Sequence, residues 1–374
     1  MKIVAIESSV VSIPFDMGGP PANFAGKPWT HLDILLVRVE SEDGLVGWGE
    51  AFGHAGIEAT RAALDTIVAP LCVGRTIDDI DALSRQILHA THLLGRNGAF
   101  VYAYSGIEIA LWDLLGKRTG HSLQRLLGGQ DLRSLPAYAS LLAYNDPALA
   151  ALNTRRACEA GYRDIKLHEV TDEAVAASVE AARPFGARVM ADVNCAWSVP
   201  DALAMADTFA RHDLLWFEEP VWPPEDVHGL AQVRQRGIPI AAGENVAGLF
   251  GFKALIEADA IDIAQPSVTK IGGIGEVKRV VGLCDTHGIR VAPHSPYFGP
   301  GFLATLHIAA ALVDEPLVEV LWLDMAENPL DPWVKAEAGR VRLPVGPGLG
   351  CDPDPAIVAR HLKGGIVRTG APRP

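Results

Sequence analysis

The feature that most constrains this chain is a period. Lys166, Asp192, Glu218, Glu244 and Lys270 follow one another at intervals of 26 residues, and His294 comes 24 residues after Lys270. Each lies near the end of a short strand-like run, in the contexts DIKLH, VMADVN, WFEEP, IAAGE, SVTK and VAPH. One strand, one helix and their turns occupy about that length in a parallel βα array. Charged residues recurring on this period therefore sit at the carboxyl ends of successive strands, where a barrel gathers them at one mouth.

From Ser134 onward, apolar runs alternate with amphipathic stretches. Eight strands are predicted, at residues 135–141, 164–168, 189–194, 214–218, 238–244, 261–266, 291–294 and 318–323. Helices fit between them, for example at 172–183, 200–212 and 274–287. Eight strands at this spacing close a barrel. Earlier in the chain the order changes: strands at 3–13, 31–40 and 45–50 come first, and helices follow at 57–69, 78–94 and 103–127. That is a small α+β domain. The Gly- and Pro-rich stretch 14–29 is too long for a tight turn and is a candidate lid. After Asn328 the pattern dissolves into turns such as LPVGPGLGCDPDP. The expected division is an α+β domain over 1–129, a barrel over 130–328, and a tail over 329–374 that crosses back onto the first domain.

A chain of 374 residues with 49% hydrophobic composition buries a large core. Its net charge of −13, without a basic cluster, argues against a nucleic-acid partner. No apolar run approaches membrane-spanning length, and the start, MKIVAIESSVVSIPF, alternates like a strand rather than presenting a signal peptide. Five cysteines, Cys72, Cys158, Cys195, Cys284 and Cys351, lack paired spacing, so a reducing cytoplasm is the expected setting.

Asp192, Glu218 and Glu244 come from three consecutive strand ends and bring carboxylate oxygens to one point. Three hard ligands with room left for water and substrate suit Mg²⁺, whereas softer metals want thiol or imidazole. A single acid after a strand is more simply explained as a cap on the next helix. Three in register, flanked by basic groups in register, favour a site. Lys166 and His168 are two apart and share one face of their strand. Beside a divalent cation in a buried mouth, desolvation and like charge lower the pKa of such groups, so either can act as a base near neutral pH. A core histidine that is merely hydrogen-bonded is the plainer reading of His168. Lys270 reads as a partner of the ligand carboxylates and is counted with the substrate-binding residues. A metal flanked by bases suits removal of a proton α to a carboxylate, where negative charge develops on adjacent oxygens.

With these residues in place, the chain resembles the enolase superfamily, and within it the mandelate racemase and muconate lactonizing enzyme group. AYSGIEIALWDLLGKRTG, from Ala103 to Gly120, looks like the group's helical signature, and DVN, FEEP, GEN and KIGG recur in its order. The resemblance implies a modified TIM barrel, (β/α)₇β, under a capping domain made from both chain ends, with the active site between them. It implies Mg²⁺ held by Asp192, Glu218 and Glu244, and Asn194 near the substrate. It makes Lys166 and His168 the counterpart of a Lys-x-Lys motif, with His168 in place of the usual base. A Lys or His base working beside Mg²⁺ that stabilises an ene-diolate is the general pattern of this superfamily. His294 matches the acid or base of the opposite face, and Glu319 is the best match for an acid that hydrogen-bonds the substrate carboxylate. A small-molecule carboxylate substrate and a homo-oligomer are also implied.

One position departs from the pattern. Three residues before the lysine of KIGG, where mandelate racemase has an aspartate, this chain has Ser267. A serine supplies no charge to a cationic His294, which favours an acid role over that of a strong second base. Dehydration of an acid sugar, an aldonate or aldarate, is therefore the first expectation. Racemisation or epimerisation, and cycloisomerisation of a lactone or anhydro ring, are the rivals within the fold. A noncatalytic barrel protein and an aldolase using Lys166 as a Schiff base are the readings from other classes. Specificity is expected from the lid, from the 51–56 turn and from SPYFGPG, with Trp29, His54 and Tyr297 as candidates.

Overall fold

The computed structural model describes residues 1–372 apart from Ala25, Asp78 and Asp131. Ala25, in the expected lid, and Asp78, the expected start of the second helix, lie outside the described residues.

Three long strands begin the cap: β1 (Ile3–Asp16), β2 (His31–Ser41) and β3 (Val46–Ala51), all antiparallel. Helices α1 (Ile57–Ala63), α2 (Ile80–Ala90) and α3 (Ala99–Thr119) follow. Buried residues occur on every face of α3, so it is an interior helix rather than an amphipathic surface one. Its fit against β3 needs glycine: a Cβ on Gly49 would come within 1.9 Å of the Gly106 carbonyl oxygen. The helix expected to reach residue 127 stops at Thr119, because Gly120 takes a left-handed conformation (φ 72°) that ends the turn. A separate short helix, Leu123–Leu126, follows.

The barrel strands are β4 (Ser134–Leu141), β5 (Asp164–Leu167), β6 (Arg188–Asp192), β7 (Phe217–Glu218), β8 (Ile240–Ala242), β9 (Ile263–Ala264), β10 (Arg290–Val291) and β11 (Val318–Leu321). Successive strands from β4 to β10 pair in parallel, and β11 pairs with β4. The helices between them are α4 (Pro147–Glu159), α5 (Asp172–Ala182), α6 (Val199–Phe209), α7 (Val227–Arg234), α8 (Gly248–Glu257), α9 (Ile274–His287) and α10 (Pro300–Leu312). This is the modified TIM barrel, (β/α)₇β, with a cap. Most strands end earlier than expected. The backbone leaves the ladder at positive φ where the site begins, at Asn194 (43°), Cys195 (58°), Glu219 (42°) and Gly243 (139°). Among the described residues, β10 and β11 share no ladder. Their seam is joined instead at Ser295, whose N–H donates to Glu319 Oε2 (3.0 Å) and whose hydroxyl donates to the Glu319 carbonyl (3.1 Å).

The tail divides between the two parts. Arg340–Arg342 pairs antiparallel with the start of β4, whereas the last strand, β12 (Leu362–Gly370), pairs with β1 in the cap. Inside the barrel the two-residue alternation of strands sorts the side chains into layers. Tyr138, Met190, Trp216, Ala241, Ile263, Ala292 and Leu317 form an apolar plug. Two residues further along their strands come Ser140, Asp192, Glu218, Gln265, His294 and Glu319.

Two buried cap carboxylates join cap to barrel. Glu50, at the end of β3, accepts the Gly301 N–H (2.9 Å) at the start of α10. Glu108, in α3, accepts the N–H groups of Ile274 (2.7 Å) and Gly275 (2.9 Å) at the start of α9, and the Trp112 indole N–H (2.8 Å). Each therefore caps a helix belonging to the other part, satisfying otherwise orphaned donors. Glu108→Ala should lower the free energy of unfolding by about 2–3 kcal/mol, read by urea denaturation, because it strands two buried N–H groups. A wild-type midpoint would contradict this. Burial pushes the Glu108 pKa up from 4.5 to about 7. The folded protein thus retains a proton that the unfolded chain releases, so the Glu108 contribution falls as pH rises from 4.5 to about 7. Glu108→Gln should remove that decline.

Candidate active site

The mouth of the barrel concentrates carboxylates. Asp192 and Glu218 are register partners on β6 and β7, and Glu244 follows two residues after β8. One oxygen from each lies within 4.8 Å of the others. Lys166 starts one layer lower, level with Met190, and reaches up among the acids. Its ammonium lies 3.0 Å from Asp192 Oδ2, 2.9 Å from Glu218 Oε1 and 2.8 Å from Glu319 Oε1. Burial opposes that charge, but Glu218, Glu319 and Asp192 outweigh it and hold the Lys166 pKa well above the ordinary lysine value.

The two histidines approach from β5 and β10, each facing a different acid. His168 Nδ1 lies 2.5 Å from the Leu141 carbonyl, to which it donates, and this leaves Nε2 turned to Asp192 Oδ2 at 3.2 Å. Burial works against protonation of His168, yet Asp192 raises its pKa overall. His294 Nε2 lies 2.7 Å from Glu244 Oε2. Behind the ring, Nδ1 meets the Ser267 hydroxyl at 3.0 Å and the Tyr297 hydroxyl at 3.4 Å, and those two hydroxyls are hydrogen-bonded to each other. Hydroxyls thus stand where an aspartate would have charged the pair.

Other expected residues take distinct places. The Asn194 backbone and amide N–H groups both donate to Asp192 Oδ1 at 3.0 Å, orienting that carboxylate. Lys270 donates to Asn245 Oδ1 (3.0 Å), stands 3.8 Å from Glu244 and lies over the Phe52 ring. Glu319 accepts from Ser140 (2.8 Å) as well as from Lys166. Trp29 and His54 stack edge-on at 5.4 Å and border a cavity of about 220 Å³ that also touches His168, Asn194, Glu244, His294 and Glu319. Tyr297 is buried behind His294 and is absent from that lining.

Several residues of the site were not singled out in the sequence. Trp216 donates to Glu218 Oε2 (2.9 Å), and the W-x-E spacing puts both on one strand face. Glu219 accepts from Asn245 (2.8 Å) in a left-handed conformation, a strain that the string FEEP does not reveal. Ser140 and Ser295 carry no distinguishing signal.

The site fits a divalent cation. Five carboxylates, Asp192, Glu218, Glu219, Glu244 and Glu319, face two ammonium groups, Lys166 and Lys270, so three negative charges are left to the histidines or a cation. Burial, then Asp192, pushes Glu218 well above the carboxylate range, and burial with Glu244 and Asp192 pushes Glu219 up to about 7. Despite burial, Lys166 and His168 hold Asp192 well below that range, while His294 and Lys270 do the same for Glu244. A cluster that ionises only in part is short of positive charge, and its donors are hard oxygens of the kind Mg²⁺ takes.

Comparison with known families agrees with this architecture. Residues 6–128 match the mandelate racemase / muconate lactonizing enzyme N-terminal domain, and residues 148–357 match the enolase C-terminal domain-like family. The chain belongs to the mandelate racemase / muconate lactonizing enzyme group of the enolase superfamily. Among relatives in this group is a D-galactarolactone cycloisomerase from Agrobacterium fabrum, 32% identical, the match covering 94% of this chain and 96% of that protein. A D-xylonate dehydratase from Haloferax volcanii is 31% identical, with 90% and 85% covered. The crystal structure of L-talarate/galactarate dehydratase from Salmonella typhimurium, liganded with Mg and L-lyxarohydroxamate, superposes with a TM-score of 0.85 at 27% identity, covering 100% of this chain and 95% of that one. As a member of the mandelate racemase / muconate lactonizing enzyme group, whose relatives here are named dehydratases and cycloisomerases, this chain is an enzyme of the lyase or isomerase kind. Among the described residues, no helix is long and apolar enough to cross a membrane.

Titration calorimetry with Mg²⁺ tests the acid trio. Asp192→Asn and Glu244→Gln should each weaken binding by at least about a hundredfold, whereas Glu315→Gln on the barrel surface should not. Unchanged affinity in the first two would remove them from the ligand set.

Proposed function

We propose that this enzyme removes the proton α to the carboxylate of an acid sugar and expels a β-oxygen substituent, most directly as a dehydratase. The observation that carries this reading is the convergence of three carboxylate oxygens with two imidazoles in one cavity. Asp192, Glu218 and Glu244 would hold Mg²⁺, which when bound supplies positive charge where the reacting carboxylate gains negative charge.

The remaining roles belong to the chain's own groups. His168 takes the α-proton on Nε2, because its other nitrogen is fixed to the Leu141 carbonyl. Lys166 stays protonated among three carboxylates, so it positions and polarises, and it is poorly suited to form a Schiff base. His294 delivers a proton from Nε2 to the departing oxygen. Behind it stand Ser267 and Tyr297 rather than an aspartate, so no charged partner holds the imidazolium on that side. That same feature weighs against a racemase, which needs His294 as a strong base on the opposite face. Glu319, held by Ser140 and Ser295, is assigned to a hydrogen bond with the substrate carboxylate. The five cysteines are all free thiols, in keeping with a cytoplasmic enzyme, and a homo-oligomer is proposed with it.

Proton exchange in D₂O and product release separate the two imidazoles. His168→Asn should lower both by about 10²–10⁴-fold, whereas His294→Asn should spare deuterium incorporation into recovered substrate and suppress water loss by a similar factor. A 2-keto-3-deoxy acid is the expected wild-type product. Formation of an epimer by wild type without loss of water would overturn the dehydratase reading.

A further inference from the structure

Gln265 lies in the same side-chain layer as Asp192, Glu218, His294 and Glu319. Its backbone N–H donates to the Ala242 carbonyl (3.0 Å), which carries β9 one residue past Ala264. Ile263, two residues earlier, belongs to the apolar plug, so strand alternation turns the Gln265 side chain into the barrel as well. There it is fully buried, and neither its amide nitrogen nor its amide oxygen has a hydrogen-bond partner.

Other buried amides are used differently. Asn153 donates to the Gly18 carbonyl (3.1 Å) and accepts from the Trp322 indole (3.3 Å). Asn328 donates to the Phe298 carbonyl (2.9 Å) and accepts the Leu330 N–H (2.7 Å). Those two hold chain segments together. An amide enclosed with both ends unpaired opposes folding, because it gave up water and received nothing in exchange. Gln265 is thus retained at a cost in stability, and its use has to lie elsewhere.

Its neighbour in the layer is Glu218. Burial and Asp192 push the Glu218 carboxyl up, while Lys166 and the Gln265 amide act the other way. The amide therefore stands near this carboxylate without completing a hydrogen bond to it. Lys166 holds Glu218 Oε1 at 2.9 Å and Trp216 holds Oε2 at 2.9 Å. Divalent charge among the three acids repels the Lys166 ammonium and weakens its grip on Oε1. A neutral donor in the same layer, spent on no other partner, suffers no such repulsion.

We propose that Gln265 is a positioning residue for the metal site: its amide N–H takes up Glu218 as a cation loosens Lys166, and so keeps that carboxylate aimed at the ion. The inference rests on Mg²⁺ binding by Asp192, Glu218 and Glu244 as proposed above.

Gln265→Met, close in volume and without hydrogen-bonding atoms, separates this role from a structural one. By titration calorimetry it should weaken Mg²⁺ binding by about 10–100-fold, the usual loss when a group that orients a metal ligand is removed. In urea, without metal, its unfolding midpoint should equal or exceed that of wild type, because an unpaired buried amide is gone. Gln265→Leu should behave in the same way. Wild-type Mg²⁺ affinity in either folded variant would overturn the inference and leave the acid trio in place. A lowered metal-free midpoint, or failure of both variants to fold, would also overturn it, since the amide would then be holding the barrel. Absence of Mg²⁺ binding by wild type would overturn the reading of the site, and the inference with it.

Discussion

Everything in this structure is arranged around a surplus of negative charge held out of water. Five carboxylates share the barrel mouth with two ammonium groups and two imidazoles, and burial alone would drive most of those acids to protonate. The acids respond in opposite directions. Asp192, Glu244 and Glu319 are held ionised by the cationic groups beside them, while Glu218, although 2.9 Å from Lys166, and Glu219 are pushed up by burial and by neighbouring acids. The cluster is thus left incompletely neutralised by its own side chains. The same imbalance keeps Lys166 charged and draws His168 toward protonation until other positive charge takes up the Asp192 field.

The cap is part of this electrostatic design and more than a cover. Its carboxylates Glu50 and Glu108 each occupy the amino terminus of a barrel helix, so docking satisfies backbone donors that would otherwise be buried without partners. Docking also brings Trp29, Phe52 and His54 over the mouth. The acids and imidazoles of the cavity thus come from the barrel, while Trp29, Phe52 and His54 of its lining come from the cap. The two can vary separately, consistent with a family whose members carry out different reactions on different acids.

The barrel and the clustering of its acid trio were legible because each acid stands near a strand end, on a repeat that a βα unit fixes. The alternation of strands alone made Lys166 and His168 neighbours on one face. Strand lengths were less legible. The ladders stop where Asn194, Glu219 and Gly243 enter positive φ, and nothing in VMADVN or WFEEP announces that conformation. Tyr297 read as a specificity residue from its loop, yet it folds behind His294 and touches Ser267, a contact spanning 30 residues that local pattern does not encode. Nor did composition foretell that Glu319 bridges the seam between β10 and β11, since that role depends on which strands fail to pair.

The most direct test of the account is the position of a bound metal. Mn²⁺ soaked into crystals in place of Mg²⁺, and located by its anomalous scattering, should appear as a single ion ligated by oxygens of Asp192, Glu218 and Glu244. An ion found away from those three side chains, or a mouth in which Lys166 still bridges Asp192 and Glu218 at saturating Mn²⁺ with no ion beside them, would contradict it.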